Sequence, residues 1–163
     1  MSSNERSVLV VDDSAFVATM LAEMIGGIDG FRVAAVARDG EEALRLVHAL
    51  APDIVTMDIE MPGVDGLAAL GYIMSEAPRP VVMVSGATTR GSVDLTIRAL
   101  ELGALEFVRK PTGNTREAWG EVRARLADAL HAAAQMNVGS VPMLARPRLA
   151  TPGPRAAVVR QAR

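Results

Sequence analysis

The sequence contains no cysteine, which excludes a disulfide framework and any metal site built from thiolates. No apolar run approaches the roughly 18 residues that a membrane-spanning helix needs. The N-terminal residues MSSNERS lack the apolar core of a secretory signal. The formal net charge of −2 is far from the strongly basic balance that is typical of nucleic-acid-binding chains. We therefore expect a cytoplasmic protein with no membrane span and no nucleic-acid partner.

Half of the 163 residues are hydrophobic, which is enough for one domain with a substantial core. Short β-branched apolar runs alternate with amphipathic segments of helical period. The runs are nearly all apolar, so they predict five strands buried on both faces of a parallel sheet, at Val8–Val11, Phe31–Val36, Asp53–Met57, Val81–Val84 and Leu105–Val108. Ser92 can cap the fourth helix, and Gly103 can end it. Five strands that alternate with five helices predict a doubly wound α/β domain, in which ligands bind beyond the carboxyl ends of the strands.

The composition changes near the end of the chain. Residues 137–163 contain four prolines, five arginines, no acidic residue and no sustained period. Such a composition is typical of a linker or a disordered tail rather than of a packed domain. The arginines could contact nucleic acid or an acidic partner, but a solvated tether is the simpler interpretation. We therefore divide the chain into a domain over residues 1–136 and a linker or tail over residues 137–163.

Three aspartates follow predicted strands. Asp12 and Asp13 come directly after the first strand, and Asp58 follows the third. In a parallel sheet these strand ends can be neighbours, so the three carboxylates would repel one another unless a cation lay among them. Oxygen ligands without histidine or cysteine suit a hard divalent ion, Mg²⁺ or Mn²⁺. A carboxylate beside such an ion can attack a phosphoryl group and carry it as an acyl phosphate.

Two further strand ends supply groups that can bind phosphoryl oxygens. Ser85 ends the fourth strand with a hydroxyl, and Lys110 ends the fifth with a flexible ammonium. Each has a purely structural alternative, a turn residue at Ser85 and a solvated charge at Lys110. A helix cap is the corresponding alternative for Asp13 or Ser14. The functional interpretation depends on all of these residues meeting at one edge of one sheet.

Four segments, VVDDS, MDIEMPGVDG, VVMVSG and FVRKP, occur in this order. Together they resemble the receiver domain of two-component response regulators, and the resemblance covers roughly residues 8–134. It implies a flavodoxin-like (βα)5 fold, a three-layer sandwich with the parallel strand order 2-1-3-4-5. It also implies that Asp58 is the phosphoacceptor and that a histidine kinase is the phosphodonor. Ser85 and Lys110 would meet the phosphoryl group, and Phe107 would be the mobile aromatic residue that switches position together with Ser85.

The same resemblance implies a magnesium site. The implied ligands are the carboxylates of Asp13 and Asp58 and the backbone carbonyl of Glu60. Asp12 would be an acidic pocket residue that acts on the ion through a water molecule. Mn²⁺ could replace Mg²⁺, because both are hard ions that prefer oxygen ligands.

A narrower resemblance is also visible. The segments DIEMPGVDGL, RPVVMVSG and ALELGALEFVRKP are similar to the receiver half of chemotaxis protein-glutamate methylesterases. Members of that family join the receiver, through a linker, to a C-terminal hydrolase domain that demethylates and often deamidates chemoreceptor side chains. The opening motif of that domain, of the GASTGG kind, does not occur here. We therefore expect a regulatory fragment without esterase activity, whose partners are the esterase domain of a longer protein and, indirectly, chemoreceptors.

Other functions remain open at this point. A stand-alone receiver, or the receiver of a DNA-binding response regulator, would have the same pocket. The linker-like tail argues against the first, and Glu60 and the ALELGA segment favour the methylesterase type over the second. A flavin- or nucleotide-binding flavodoxin-like domain would need a Gly-rich phosphate loop after the first strand, and none is present. A phosphohydrolase with an aspartate nucleophile would turn over a phosphate ester many times, whereas a receiver is modified once.

Overall fold

The computed structural model describes residues 4–86, 92–113 and 115–136, in which strands and helices alternate. The strands are β1 (Arg6–Val11), β2 (Phe31–Ala37), β3 (Ile54–Met57), β4 (Val81–Ser85) and β5 (Glu106–Arg109). The helices are α1 (Ala15–Gly26), α2 (Gly40–Leu50), α3 (Gly66–Glu76), α4 (Ser92–Glu101) and α5 (Arg116–Ala134). Within these residues no helix combines the length and the apolar character needed to cross a membrane. The strands pair in parallel in the order β2-β1-β3-β4-β5, so the predicted flavodoxin-like α/β fold is confirmed.

The sheet lies between two helical layers because alternate residues of each strand point to opposite faces. Val8 and Val10 of β1 belong to the core that contains residues of α1 and α5. Leu9 and Val11 belong to the core on the other face, which contains residues of α2, α3 and α4. The three central strands β1, β3 and β4 are buried along nearly their whole length. This two-sided burial is the physical reason for the nearly continuous apolar runs in the sequence.

The strand limits differ from the predicted ones by one or two residues. β3 begins at Ile54 rather than Asp53, and the Asp53 carboxylate accepts hydrogen bonds from the Ser7 N–H (2.8 Å) and hydroxyl (3.2 Å). β5 is shifted by one residue, and its Glu106 and Arg109 are exposed because this strand lies at the edge of the sheet. The expectation that every strand is buried on both faces is therefore wrong for the edge strands. The predicted linker or tail, residues 137–163, lies outside the described residues.

A glycine fixes the end of α4, as the sequence predicts. Gly103 has a φ of +113°, a conformation that L side chains rarely adopt. Its N–H donates to the Leu100 carbonyl (3.1 Å), and the Ala104 N–H donates to the Ala99 carbonyl (3.0 Å). This pair of bonds defines a Schellman cap, which turns the chain from α4 into β5. The α4 helix begins at Ser92, whose side chain is outside the described part of the structure, so its capping role stays a prediction.

Candidate functional site

Three carboxylates meet at the carboxyl edge of the sheet. β1 and β3 are neighbours, with Val11 opposite Met57, so the residues that follow them share one edge. The Asp58 N–H donates to the Val11 carbonyl (3.0 Å), which ties the end of β3 to the end of β1. Carboxylate oxygens from Asp12, Asp13 and Asp58 all lie within 4.8 Å of one another. The structure thus brings the three predicted aspartates together.

Asp12 is fully buried, with a hydrogen bond to one carboxylate oxygen and an ion pair at the other. Its Oδ1 accepts from the Ser14 N–H (2.9 Å), and its Oδ2 lies 2.7 Å from the Lys110 ammonium nitrogen. Ser14 is the N-cap of α1, since its hydroxyl accepts from the Val17 N–H (3.2 Å). The structural alternative of a helix cap therefore applies to Ser14. Asp13 is exposed and contributes its carboxylate to the cluster.

The ammonium group of Lys110 reaches the carboxylate cluster from the end of β5. Its Nζ lies 2.7 Å from Asp12 Oδ2 and 3.5 Å from Asp58 Oδ1, and its side chain is 13% exposed. The sheet register explains this position, because Ser85 pairs with Arg109 and the Lys110 N–H donates to the Ser85 carbonyl (3.0 Å). Ser85 is itself buried at this edge. The ends of β1, β3, β4 and β5 therefore place their polar residues at one edge of the sheet.

Burial makes the negative charge of Asp58 costly. Desolvation has the largest effect, the Lys110 ammonium acts against it, and the charges of Asp12 and Asp13 add to it. Together these effects raise the pKa of Asp58 from 3.8 to about 6. The positive charge of Lys110 therefore offsets only part of the negative charge of the three carboxylates. A further cation among them would lower the pKa of Asp58. A donor set made of carboxylate oxygens alone fits a hard divalent ion such as Mg²⁺.

Two predicted residues lie apart from the carboxylates. Glu60 is exposed in the loop between β3 and α3, two residues after Asp58. Phe107 lies in β5 opposite Met83 and packs, partly buried, against the core that contains residues of α2, α3 and α4. In the described structure neither side chain is part of the carboxylate cluster. A part for them in the chemistry would therefore involve the Glu60 backbone or a movement of Phe107.

Two glycines beside this site, Gly66 and Gly40, were not among the residues predicted from the sequence. A Cβ placed on Gly66, the first residue of α3, would lie 1.9 Å from the Asp58 carbonyl oxygen. A Cβ placed on Gly40, the first residue of α2, would lie 2.4 Å from the Val64 carbonyl oxygen. Glycine is a poor helix former, so its presence in the first turn of two helices was the available signal. The packing of those turns against the loop after Asp58 is a tertiary feature that the sequence does not display.

Asp58→Asn should stabilise the metal-free domain near neutral pH and have little effect at about pH 4. The pKa of the folded carboxyl lies above its unfolded value of 3.8, so stability is lost as the pH rises from about 4 to about 6. Asparagine is neutral and nearly isosteric, and we expect a gain of roughly 1–3 kcal/mol above that range. Urea unfolding in the presence of a chelator, at both pH values, measures the gain.

The matched control for this experiment is Asp65→Asn. Asp65 is the exposed N-cap of α3, and asparagine caps helices about as well as aspartate. This variant should therefore show no comparable gain at neutral pH. Equal stabilisation of Asp58→Asn at both pH values would contradict the electrostatic cause.

The sequence matches the response regulator receiver domain family over residues 8–118. A protein-glutamate methylesterase/protein-glutamine glutaminase of Nitratidesulfovibrio vulgaris is 54% identical over 104 residues. The matched residues are 64% of this chain and 28% of that protein, so the chain spans less than a third of the relative's length.

Solved structures agree with this match. The response regulator domain of Thermotoga maritima CheB has a TM-score of 0.74 and 40% sequence identity, over 82% of this chain and 98% of that chain. A chain of the CheX–CheY–BeF₃–Mg²⁺ complex from Borrelia burgdorferi has a TM-score of 0.64 and 33% identity, over 78% of this chain and 87% of that chain. This chain therefore belongs to the response regulator receiver domain family and is related to the regulatory domains of protein-glutamate methylesterases.

Proposed function

We propose that this chain is the phosphoacceptor receiver of a chemotaxis two-component system and that a histidine kinase phosphorylates it on Asp58 in the cytoplasm. The observation that carries the proposal is the pocket in which Asp58, only 5% exposed, lies with Asp12, Asp13 and Lys110. Membership of the receiver family supports it, because the resemblance to that family implies that Asp58 is a phosphoacceptor.

Asp58 would be the nucleophile. One of its carboxylate oxygens attacks the phosphorus of the donor, the bond between phosphorus and the donor's leaving atom breaks, and an acyl phosphate forms. The attack needs the ionised carboxylate. A pKa of about 6 leaves Asp58 mostly ionised at pH 7 in spite of its burial. The pocket therefore keeps the nucleophile in its reactive form at neutral pH.

Lys110 would bind the phosphoryl oxygens. Its ammonium lies 3.5 Å from Asp58 Oδ1, so a small movement brings it to oxygens attached to that side chain. Asp12, at 2.7 Å, holds the same ammonium and limits where it can go. The Ser85 hydroxyl would donate a hydrogen bond to a phosphoryl oxygen from the end of β4.

Mg²⁺ or Mn²⁺ would be held by Asp13, Asp58 and the backbone carbonyl of Glu60, with Asp12 acting through a water molecule. The donor chemistry supports this set, because the three carboxylates converge within 4.8 Å and every donor is an oxygen. When bound, the ion would neutralise part of the charge that develops on the phosphoryl oxygens. The complex from Borrelia burgdorferi that contains a related chain also contains BeF₃ and Mg²⁺.

Phosphorylation would change the structure at the β5 edge of the sheet. We propose that Ser85 moves toward the phosphoryl group and that Phe107 moves into the space it leaves. Phe107 is only partly buried and lies on a strand with a single neighbour, which supports a movement there. The surface formed by α4 and β5 would then change shape. Three apolar side chains of α4 are exposed and available to a partner, namely Val93, Ile97 and Leu100.

We further propose that this partner is the C-terminal esterase domain of a longer protein. The support is the relative from Nitratidesulfovibrio vulgaris, which is named as a methylesterase and glutaminase and is more than three times as long as the matched region. The unphosphorylated receiver would cover the esterase site, and phosphorylation would relieve the block. Chemoreceptors would then be affected indirectly, through their methylation.

Acetyl phosphate with Mg²⁺ should add one phosphoryl group to the chain, because Asp58 is the proposed acceptor. We expect no adduct without Mg²⁺ and none on Asp58→Asn. Intact-mass spectrometry measures the adduct directly. An adduct on folded Asp58→Asn would identify a different acceptor, and repeated turnover of a phosphate ester would favour a phosphohydrolase.

Lys110→Ala should slow this labelling roughly 10- to 100-fold, because the phosphoryl oxygens lose a charged donor. Mg²⁺ should bind as tightly as before or more tightly, since the three carboxylates remain and a competing cation is gone. Calorimetric titration measures the metal affinity, and intact mass measures the rate. The control is Arg109→Ala, which removes an adjacent exposed cation and should leave both values unchanged. Weaker Mg²⁺ binding in Lys110→Ala would contradict the proposal that Lys110 binds the phosphoryl group and the carboxylates bind the metal.

The unphosphorylated chain should inhibit an isolated esterase domain of a related protein in trans, and BeF₃⁻ with Mg²⁺ should relieve the inhibition. Ile97→Ser, on the exposed stripe of α4, should weaken the inhibition because it removes apolar contact area. Leu50→Ser is the matched control, since Leu50 is similarly exposed on a different helix. Hydrolysis of a methylated receptor peptide measures the effect, and full esterase activity at high receiver concentration would contradict the proposed regulation.

A further inference from the structure

The loop between β3 and α3, residues 59–65, begins and ends beside Asp58. Gly66, the first residue of α3, donates its N–H to the Ile59 carbonyl (2.8 Å), which closes the loop. A Cβ on Gly66 would lie 1.9 Å from the Asp58 carbonyl oxygen and 2.7 Å from the Ile59 Cα. The backbone that carries the Asp58 carboxylate is therefore in direct contact with the first turn of α3.

A second helix closes on the far end of this loop. A Cβ on Gly40, the first residue of α2, would lie 2.4 Å from the Val64 carbonyl oxygen and 2.7 Å from Val64 Cγ1. The strand before this helix is β2, whose Ala37 carbonyl accepts the Asp12 N–H (3.0 Å). The loop is thus held between two helices that both start at the edge of the sheet where the carboxylates lie.

Backbone conformation does not explain either glycine. Among the described residues the glycines with positive φ are Gly30, Gly63 and Gly103, so alanine at position 40 or 66 meets no strain of that kind. Alanine is also the better helix former. The shortest distance at each position, by contrast, is to a backbone carbonyl oxygen, which no side-chain rotation can move away. Glycine is therefore required at these two positions for space.

We propose that Gly66 and Gly40 are positioning residues for the phosphorylation of Asp58, an inference that rests on the proposed function. Because these glycines have no side chain, α3 and α2 can pack directly against the loop. This packing fixes the Asp58 backbone relative to the other carboxylates. It also fixes the loop that contains the Glu60 carbonyl. Metal binding and phosphoryl transfer both need several oxygens at set separations, so a displacement of this loop by about an ångström should reduce both.

The test compares Gly66→Ala with Gly71→Ala, a matched control in α3 where an added Cβ meets nothing within 4 Å. The full chain is used, and two quantities are measured. These are the Mg²⁺ dissociation constant by calorimetric titration and the initial rate of labelling by acetyl phosphate. Gly66→Ala should weaken Mg²⁺ binding and lower the rate roughly 10- to 100-fold. Gly71→Ala should leave both quantities unchanged and raise the Tm.

A further variant separates positioning from a general loss of stability. Leu130→Ala removes a fully buried side chain of α5 from the core on the other face of the sheet. It should lower the Tm without changing the rate or the Mg²⁺ affinity at a temperature where the variant is folded.

Gly40→Ala gives a graded second case, because its contact of 2.4 Å is less severe than that of 1.9 Å at Gly66. It keeps the inference testable if Gly66→Ala does not fold. Adding Val64→Gly removes the side-chain part of the overlap at Gly40 and should restore part of the lost rate.

Wild-type rates and Mg²⁺ affinities in the folded glycine variants would overturn the inference. Equal losses in Leu130→Ala would overturn it as well, since stability would then be the cause. If the wild-type chain itself takes up no phosphoryl group, the proposed function fails. The Mg²⁺ affinities alone then decide whether the glycines position the carboxylates.

Discussion

The contact of Lys110 with two buried aspartates is the interaction that makes this edge of the sheet possible. Asp12 is fully buried 2.7 Å from the ammonium, and Asp58 lies 3.5 Å away. An unpaired charge at such a depth would cost several kcal/mol. The lysine offsets that cost only in part, because the pKa of Asp58 still rises to about 6. Lys110 therefore compensates only part of the negative charge at this site, and the remainder favours a bound cation.

This contact spans a large part of the sheet. Two strands separate β5 from β1, and neighbouring strands lie about 4.8 Å apart. Lysine can bridge the gap because its long stem runs over the end of β4. The stem passes beside Gly86, where an added Cβ would lie in ordinary van der Waals contact, 3.5 Å from Lys110 Cβ and Cδ. The strand order and the long side chain after β5 therefore act together.

The features that could be predicted from the sequence are the ones that short segments encode, namely the central strands and the polar residues at their ends. Buried apolar runs identified the central strands, and polar residues at their ends identified Asp12, Asp58 and Ser85 as candidates. The exposure of β5 was missed, because an apolar run does not show whether a strand has one neighbour or two. The sequence allowed either Asp13 or Ser14 to cap α1. The hydrogen bond from the Val17 N–H to the Ser14 hydroxyl identifies Ser14 as the cap. The need for a glycine at position 66 could not be predicted from the sequence, since it arises only when α3 packs against the end of β3.

The edge position of β5 has a consequence for the carboxylates at the centre of the sheet. Asp58 follows a strand with a neighbour on each side, whereas Phe107 lies on a four-residue strand bonded on one side only. Local opening of an outer strand needs far less free energy than disruption of the centre of a sheet. Lys110 follows β5 directly and lies 3.5 Å from Asp58, so amino-acid changes that loosen or tighten β5 would also alter the charge environment of that carboxylate. An outer strand of the sheet thus carries the cation that offsets the charge of the acids at its centre.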